Sequence, residues 1–212
     1  LIGALASDLY FESKELASGV KTKDIDFAVL VDSWENFEAI KNALKQDLGL
    51  KDVDKRPYRL MYGAVPIDLL PFGGIADDTG TVRWPGTFRE RMKVIGFQEA
   101  YDHAVAFKVG ESEVRVIIPE MLVALKLSSW SHGGESRQKD ALDIRSVLEN
   151  VKVLSPELDE EFYTDKNAPL LEQYGADEDA LWVSIFASRI QILLGNSSLA
   201  KYLKNMFQGE AS

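Results

Sequence analysis

The sequence predicts an α+β protein in two parts: a mixed, partly antiparallel sheet flanked by helices in residues 1–118, and a helical region in residues 119–212. Three observations predict this class. Runs with the two-residue alternation of strands are interleaved with helical patterns before Pro119. After Pro119 only helical patterns remain. A chain of 212 residues is long enough for one large domain or two small ones.

The first part alternates strands with helices. Gly3 opens a helical pattern over residues 3–17, and a second pattern over residues 34–48 ends at Gly49, where a C-cap glycine belongs. Residues 71–87 carry six glycines or prolines, so we expect a loop there. Alternating apolar residues predict five strands, in residues 24–31, 58–63, 65–70, 104–109 and 113–118.

The second part contains helical patterns only. Five helices are predicted, in residues 119–131, 136–149, 156–163, 177–194 and 197–207. The longest apolar stretch near the C-terminus, residues 180–194, is interrupted by polar residues such as Ser184 and Arg189. We therefore expect it to be too short and too polar to span a bilayer.

Charge and cysteine content narrow the classes of function. The net charge is −10, so we expect the surface as a whole to repel nucleic acid and anionic lipid. The absence of cysteine excludes disulfides, thiolate nucleophiles and cysteine-bound zinc. Leu1 is followed within a few residues by charged side chains, unlike a signal peptide. We expect a cytoplasmic protein whose numbering begins inside a longer chain.

The segment with the clearest chemical content contains Asp24 and Asp26. Alternate residues of a strand point to the same face, which puts these two carboxylates roughly 7 Å apart at the backbone. Like charges so placed repel each other unless a cation lies between them, and Mg²⁺ or Mn²⁺ prefers such oxygen ligands. The alternative is an exposed strand end with two solvated aspartates.

Asp68 adds a third carboxylate in an otherwise apolar strand. A carboxylate buried alone costs several kcal/mol, so we expect a metal ion or a strong donor beside it. The alternative is an aspartate that faces solvent from a half-buried strand. Three aspartates on adjacent strands are typical of two-metal catalysis, in which one ion activates a hydroxyl and the other steadies a triphosphate.

In this order the residues resemble the nucleotidyltransferase superfamily with the DNA polymerase β-like fold, and within it the bacterial stand-alone enzymes of the AbiEii type. The family pattern is a glycine and a small residue at a helix start, Thr-x-Asp-x-Asp on a strand, and a third aspartate on a neighbouring strand. The matching residues here are Gly3-Ala4, Thr22-Lys23-Asp24-Ile25-Asp26 and Asp68. Three further runs resemble the AbiEii branch: Ile67 to Gly73, Leu125-Lys126-Leu127 and Arg137 to Ile144.

The resemblance implies roles for these residues. It makes Asp24, Asp26 and Asp68 the catalytic residues and the ligands of Mg²⁺ or Mn²⁺. It implies nucleotide contacts from Gly3, Ala4, Thr22 and Lys126, although Lys126 also fits a partner of Asp140 or a surface lysine. Two positions depart from the pattern: Ala4 has no hydroxyl to offer a phosphate, and Val20 stands where relatives carry arginine.

The resemblance implies an enzyme that moves a nucleoside monophosphate from a nucleoside triphosphate to an acceptor hydroxyl and releases pyrophosphate. We expect the acceptor to be a small molecule or a tRNA end, with an antitoxin protein as a further partner and no membrane partner. A non-catalytic module that keeps the fold is the alternative, favoured by Ala4 and Val20. A purely structural protein explains Asp68 poorly.

Overall fold

A computed structural model of the chain describes residues 1–16, 22–86, 91–133, 137–161, 164–174 and 177–209. It divides into two compact units. The first unit comprises Leu1–Ala6 and Lys21–Ile117, and the second comprises Ser7–Val20 and Ile118–Ser212. Residues 7–20 therefore group with the helical residues, whereas the sequence placed them with the sheet.

The first unit is built on a four-stranded mixed sheet, as the sequence predicted. Its strands lie in the order β1, β4, β3, β2, with β1 parallel to β4 and the other neighbours antiparallel. The strands are β1 (Ile25–Val31), β2 (Lys51–Val53), β3 (Arg56–Tyr62) and β4 (Val65–Gly73). Two helices of the chain precede β2: α1 (Gly3–Ser13) and α2 (Trp34–Leu48).

Helix α2 forms where its sequence signals place it. The Ser33 side chain accepts a hydrogen bond from the backbone N–H of Asn36 at the N-terminus. Gly49 ends the helix with φ of 70°, a left-handed conformation that glycine adopts without strain. The buried side chain of Phe37 joins a core cluster with Leu60 and Leu69, so this helix packs against the sheet.

The expected loop over residues 71–87 contains ordered strands, and here the prediction was wrong. Strand β4 continues to Gly73 through its pairing with β1, which includes Pro71 and extends beyond the end of the β3 pairing at Asp68. Strand β5 (Thr81–Arg83) then pairs with β6 (Arg91–Lys93). Trp84, which follows β5, is buried against Trp34 and Tyr58, so it packs in the core as the sequence favoured.

The first unit ends with a short helix and a hairpin. These are α3 (Phe97–Asp102), β7 (Val105–Val109) and β8 (Ser112–Val116). Gly110 lies in the turn between β7 and β8, as predicted. The backbone N–H of Ile117 then donates to the carbonyl oxygen of Leu1, at 3.2 Å, which ties the end of this unit to its beginning.

Every element after Ile118 in the described residues is helical. The helices are α4 (Pro119–Gly133), α5 (Gln138–Glu149), α6 (Val151–Leu154), a 3₁₀ helix (Pro156–Glu161), α7 (Ala168–Tyr174), α8 (Glu178–Leu194) and α9 (Ser198–Phe207). Among the helices of the described residues, none combines the length and hydrophobicity that a membrane span needs.

Candidate metal centre

Strands β1 and β4 bring three carboxylates together. Their parallel register sets Asp26 directly beside Asp68, and Asp24 precedes β1 on the same side of the chain. One carboxylate oxygen of each residue lies within 4.8 Å of those of the other two. Asp68 is buried, at 7% exposure, whereas Asp24 and Asp26 are half-buried. The sequence therefore identified three residues that the fold does gather at one place.

Arg59 of β3 supplies a positive charge to this group. Its Nε donates to Asp68 Oδ1 at 2.6 Å and its Nη2 to Asp68 Oδ2 at 2.7 Å, a two-pronged contact. The same Nη2 lies 3.2 Å from Asp24 Oδ2. The hydrogen bonds to Asp68 raise the pKa of Arg59 further above its ordinary value. Arg59 thus pairs with two of the three carboxylates.

Arg59 was missed in the sequence, although a signal for it exists. The turn at Gly63-Ala64 pairs Tyr62 with Val65. Counting away from that turn pairs Arg59 with Asp68, which is the register observed. Residues directly opposite each other in adjacent strands share a face, so a charged pair was to be expected there.

Thr22 stabilises the position of Asp24. Its Oγ1 lies 2.8 Å from Asp24 Oδ1 and 3.2 Å from the Asp24 carbonyl oxygen, within reach of donating to either. The two carboxylate oxygens of Asp24 thus face different donors, the hydroxyl of Thr22 at Oδ1 and the guanidinium of Arg59 at Oδ2. Thr22 was predicted as a nucleotide contact, and what it contacts here is the carboxylate.

Gly3 lies against Asp26. The backbone N–H of Ile2 donates to the Asp26 carbonyl oxygen at 2.9 Å, which places the start of α1 beside β1. A Cβ at Gly3 would overlap Asp26 Oδ2, and Gly3 has φ of 73°. Glycine is therefore required by both the carboxylate and the backbone. The next residue, Ala4, is buried at 8% exposure, so its side chain belongs to the core.

Lys126 belongs to a separate charged cluster in the second unit. Its amino nitrogen lies 3.3 Å from Asp140 Oδ1 and 2.5 Å from Asp143 Oδ2. Arg137 Nη1 adds a contact of 3.2 Å to Asp140 Oδ2. Lys126 is buried, at 9% exposure, so it is a partner of these aspartates rather than a surface lysine. Two carboxylates and two cations balance.

Val20 and Lys21 lie outside the described residues. Lys23 and Lys139 are exposed.

A comparison with protein families identifies one match. The sequence model of the family described as "Nucleotidyl transferase AbiEii toxin, Type IV TA system" matches residues 19–207. That range contains the three aspartates, Arg59 and the Lys126 cluster, and it begins after Gly3. No curated protein and no solved structure matches the chain.

Proposed function

The chain belongs to the AbiEii nucleotidyl transferase toxin family, and from that membership we propose that it moves a nucleoside monophosphate from a nucleoside triphosphate to an acceptor hydroxyl. Pyrophosphate is the second product. Asp24, Asp26 and Asp68 are the catalytic residues in this proposal. The observation that carries it is the convergence of three carboxylates, with one oxygen of each within 4.8 Å of the others.

The donor set fits divalent magnesium or manganese. All three residues offer carboxylate oxygens, the ligands that both ions prefer. Carboxylates this close to one another repel, and a divalent cation between them would offset that repulsion. Histidine and cysteine are absent from the group, which disfavours zinc.

Each carboxylate has a part in the proposed transfer. The acceptor oxygen attacks the α-phosphorus, the bond from that phosphorus to the oxygen bridging the β-phosphate breaks, and pyrophosphate leaves. Divalent ions at such a site lower the pKa of the attacking hydroxyl and offset the charge of the triphosphate. Asp24 and Asp26 are the principal ligands. Asp68 orients the acceptor end and accepts its proton.

The residues around the carboxylates support a place for the triphosphate. Gly3 opens α1 beside Asp26, and the first turn of a helix presents free backbone N–H groups to an anion. Because the side chain of Ala4 is buried, this residue would contribute its backbone only. Thr22 borders Asp24. Lys126 enters the proposal from the family resemblance, which makes it a phosphate contact.

The net charge of the chain bears on the acceptor, and the family description bears on the partner protein. A net charge of −10 disfavours a long nucleic acid, whereas a tRNA end or a small molecule requires only a small basic patch. The family description names a type IV toxin–antitoxin system, which supports an antitoxin protein as partner. A non-catalytic module is the second candidate, and the buried methyl of Ala4 in place of a hydroxyl favours it.

Labelled triphosphates test the proposal. The full chain is incubated with Mg²⁺ and each α-labelled nucleoside triphosphate, against total RNA, aminoglycosides and cell protein in turn. We expect label on RNA or on a small molecule, and none with Asp26→Asn. Label on protein alone would contradict the acceptor. If nothing is labelled but Mg²⁺ with triphosphate raises the Tm, the chain binds nucleotide without catalysis.

A further inference from the structure

Arg59 occupies the position that a cation would take between two of the three carboxylates. It reaches Asp68 through two short hydrogen bonds and Asp24 through one longer contact of 3.2 Å. Its side chain is 19% exposed, and that of Asp68 is 9% exposed. A guanidinium buried this far, with both oxygens of one carboxylate, is a fixed part of the fold.

The two contacts differ in how easily an ion can replace them. Each carboxylate oxygen has two lone pairs, so Asp68 can accept from Arg59 and still bind an ion through its remaining lone pairs. At Asp24 the Arg59 Nη2 makes a single contact of 3.2 Å with Oδ2, longer than either hydrogen bond to Asp68, so this contact is the more easily replaced. An ion that approaches Asp24 Oδ2 therefore meets the guanidinium.

We propose that Arg59 is a positioning residue that keeps Asp68 oriented throughout and yields its contact with Asp24 when a divalent ion binds. Arg59 then acts as an internal competitor for the ion. It stabilises the ion-free site and lowers the ion affinity of the carboxylates. This inference rests on the proposed metal site, and the two can fail separately.

Two substitutions separate the effect of the positive charge of Arg59 from the effect of its two-pronged contact. Arg59→Gln removes the positive charge, so we expect Mn²⁺ to bind roughly ten-fold more tightly. Arg59→Lys keeps the charge but cannot form the two-pronged contact, so Mn²⁺ affinity should stay within about two-fold of the unaltered chain. In both variants kcat should fall while the KM for the triphosphate stays unchanged, because Asp68 is no longer held.

The readout is Mn²⁺ affinity without nucleotide, measured by electron paramagnetic resonance on the full chain. Arg56→Gln is the control, since Arg56 is an exposed arginine of the same strand. It should change nothing. Equal or weaker Mn²⁺ binding by Arg59→Gln would overturn the proposal. A raised KM with unchanged kcat would make Arg59 a triphosphate contact instead.

A further variant keeps the two hypotheses apart. If Asp24→Asn binds Mn²⁺ as the unaltered chain does, the metal site is wrong; if it binds more weakly, the site stands and Arg59→Gln decides. Should Arg59→Gln not fold, nitrogen-15 spectra of the unaltered chain replace it. Saturating Mg²⁺ should free rotation at the Arg59 Nη groups while the Nε–H stays hydrogen-bonded, and unchanged Nη signals would contradict the exchange.

Discussion

Each of the two units contains a cluster of charged side chains, and the two clusters pair their charges differently. The cluster of the first unit contains Asp24, Asp26, Asp68 and Arg59. The cluster of the second contains Arg137, Lys126, Asp140 and Asp143. In the first, one arginine pairs with two of the three carboxylates, whereas in the second two cations pair with two carboxylates. The three carboxylates of the first also have the spacing of metal ligands, with one oxygen of each within 4.8 Å of the others.

The two clusters also differ in how far their charged side chains are buried. Lys126, Asp140 and Asp143 are all buried and pair with each other, and only Arg137 of this cluster is exposed. In the acidic cluster only Asp68 is buried, and Asp24 and Asp26 remain partly exposed. A buried cluster of paired charges is typical of structure, and a partly open cluster of carboxylates is typical of a binding site.

Loss of one carboxylate in the first unit should have the largest effect, on catalysis. We expect Asp26→Asn to lower kcat by on the order of 10³-fold or more, because a ligand and a charge are lost together. Thermal unfolding should be unchanged or slightly improved, since one of three mutually repelling charges is gone. Asp32→Asn, at an exposed position just after β1, is the matched control. Retained turnover in Asp26→Asn would remove the basis of the proposed site.

Loss of Lys126 in the second unit should instead lower the stability of the fold. Lys126→Met leaves two buried carboxylates with one partner fewer, so we expect the free energy of unfolding to fall by about 3–5 kcal/mol. Urea unfolding measures it, with the exposed Lys139→Met as control. Replacing Asp140 and Asp143 by Asn in the same chain should restore part of the loss. A stable, inactive Lys126→Met would favour the phosphate-contact role over the structural one.

Gly3 tests how closely the acidic site is built against the backbone. Gly3→Ala places a methyl on Asp26 Oδ2 at a positive φ, and we expect a loss of about 1–3 kcal/mol in stability. Gly63→Ala is the control, because Gly63 also has a positive φ but open space around its Cβ direction. The additional loss at Gly3 measures the clash. Equal losses in the two variants would mean that backbone strain alone requires Gly3.

The outline of the fold follows from the sequence where signals are long. Helix α2 was predicted at its observed residues because fifteen residues carry a helical pattern between Ser33 and Gly49. Strands β2, β5 and β6 have three residues each, too few to show an alternation, and their pairing comes from distant segments. Helix α3 has six residues, fewer than two turns, and these are too few to show a helical pattern.

The site was predicted as a set of residues but not as a set of contacts. Asp24 and Asp26 are recognisable because strand periodicity fixes their common face. To predict what contacts Asp68, the register of β3 against β4 must be known. The turn at Gly63-Ala64 sets that register, and the register places Arg59 opposite Asp68. That Gly3 makes room for Asp26 depends on α1 meeting β1, a tertiary contact that no local pattern carries.

A third cluster, in the second unit, shows that charge count alone does not make a site. Arg189 there faces the carboxylates of Glu120, Glu157 and Glu161, again three against one. Glu157 and Glu161 reach solvent, with 52% and 35% of their side chains exposed, so water screens them. Within the described residues, the one group of acidic, histidine or cysteine side chains spaced for a metal ion is that of Asp24.

Glu120 relieves the excess charge of this third cluster by resisting ionisation. Its side chain is 2% exposed, and its Oε1 lies 3.1 Å from Arg189 Nε without the alignment of a hydrogen bond. Burial raises the pKa of Glu120 above its ordinary value, and Glu157 and Glu161 raise it further, against the opposing effects of a backbone hydrogen bond and of Arg189. Burial also raises the pKa of Tyr10, and Glu120 and Glu157 raise it further.

The substitution Glu120→Gln should therefore have a small, pH-dependent effect on the free energy of unfolding. A carboxyl whose pKa is raised by folding stabilises the fold below its ordinary pKa, and that contribution is lost as pH rises through the raised value. Glu120→Gln does not ionise, so its stability relative to the unaltered chain should improve from pH 4 to pH 8. Urea unfolding across that range measures it, with the exposed Glu149→Gln as control. If the difference in stability between the variant and the unaltered chain does not change with pH, Arg189 keeps Glu120 ionised.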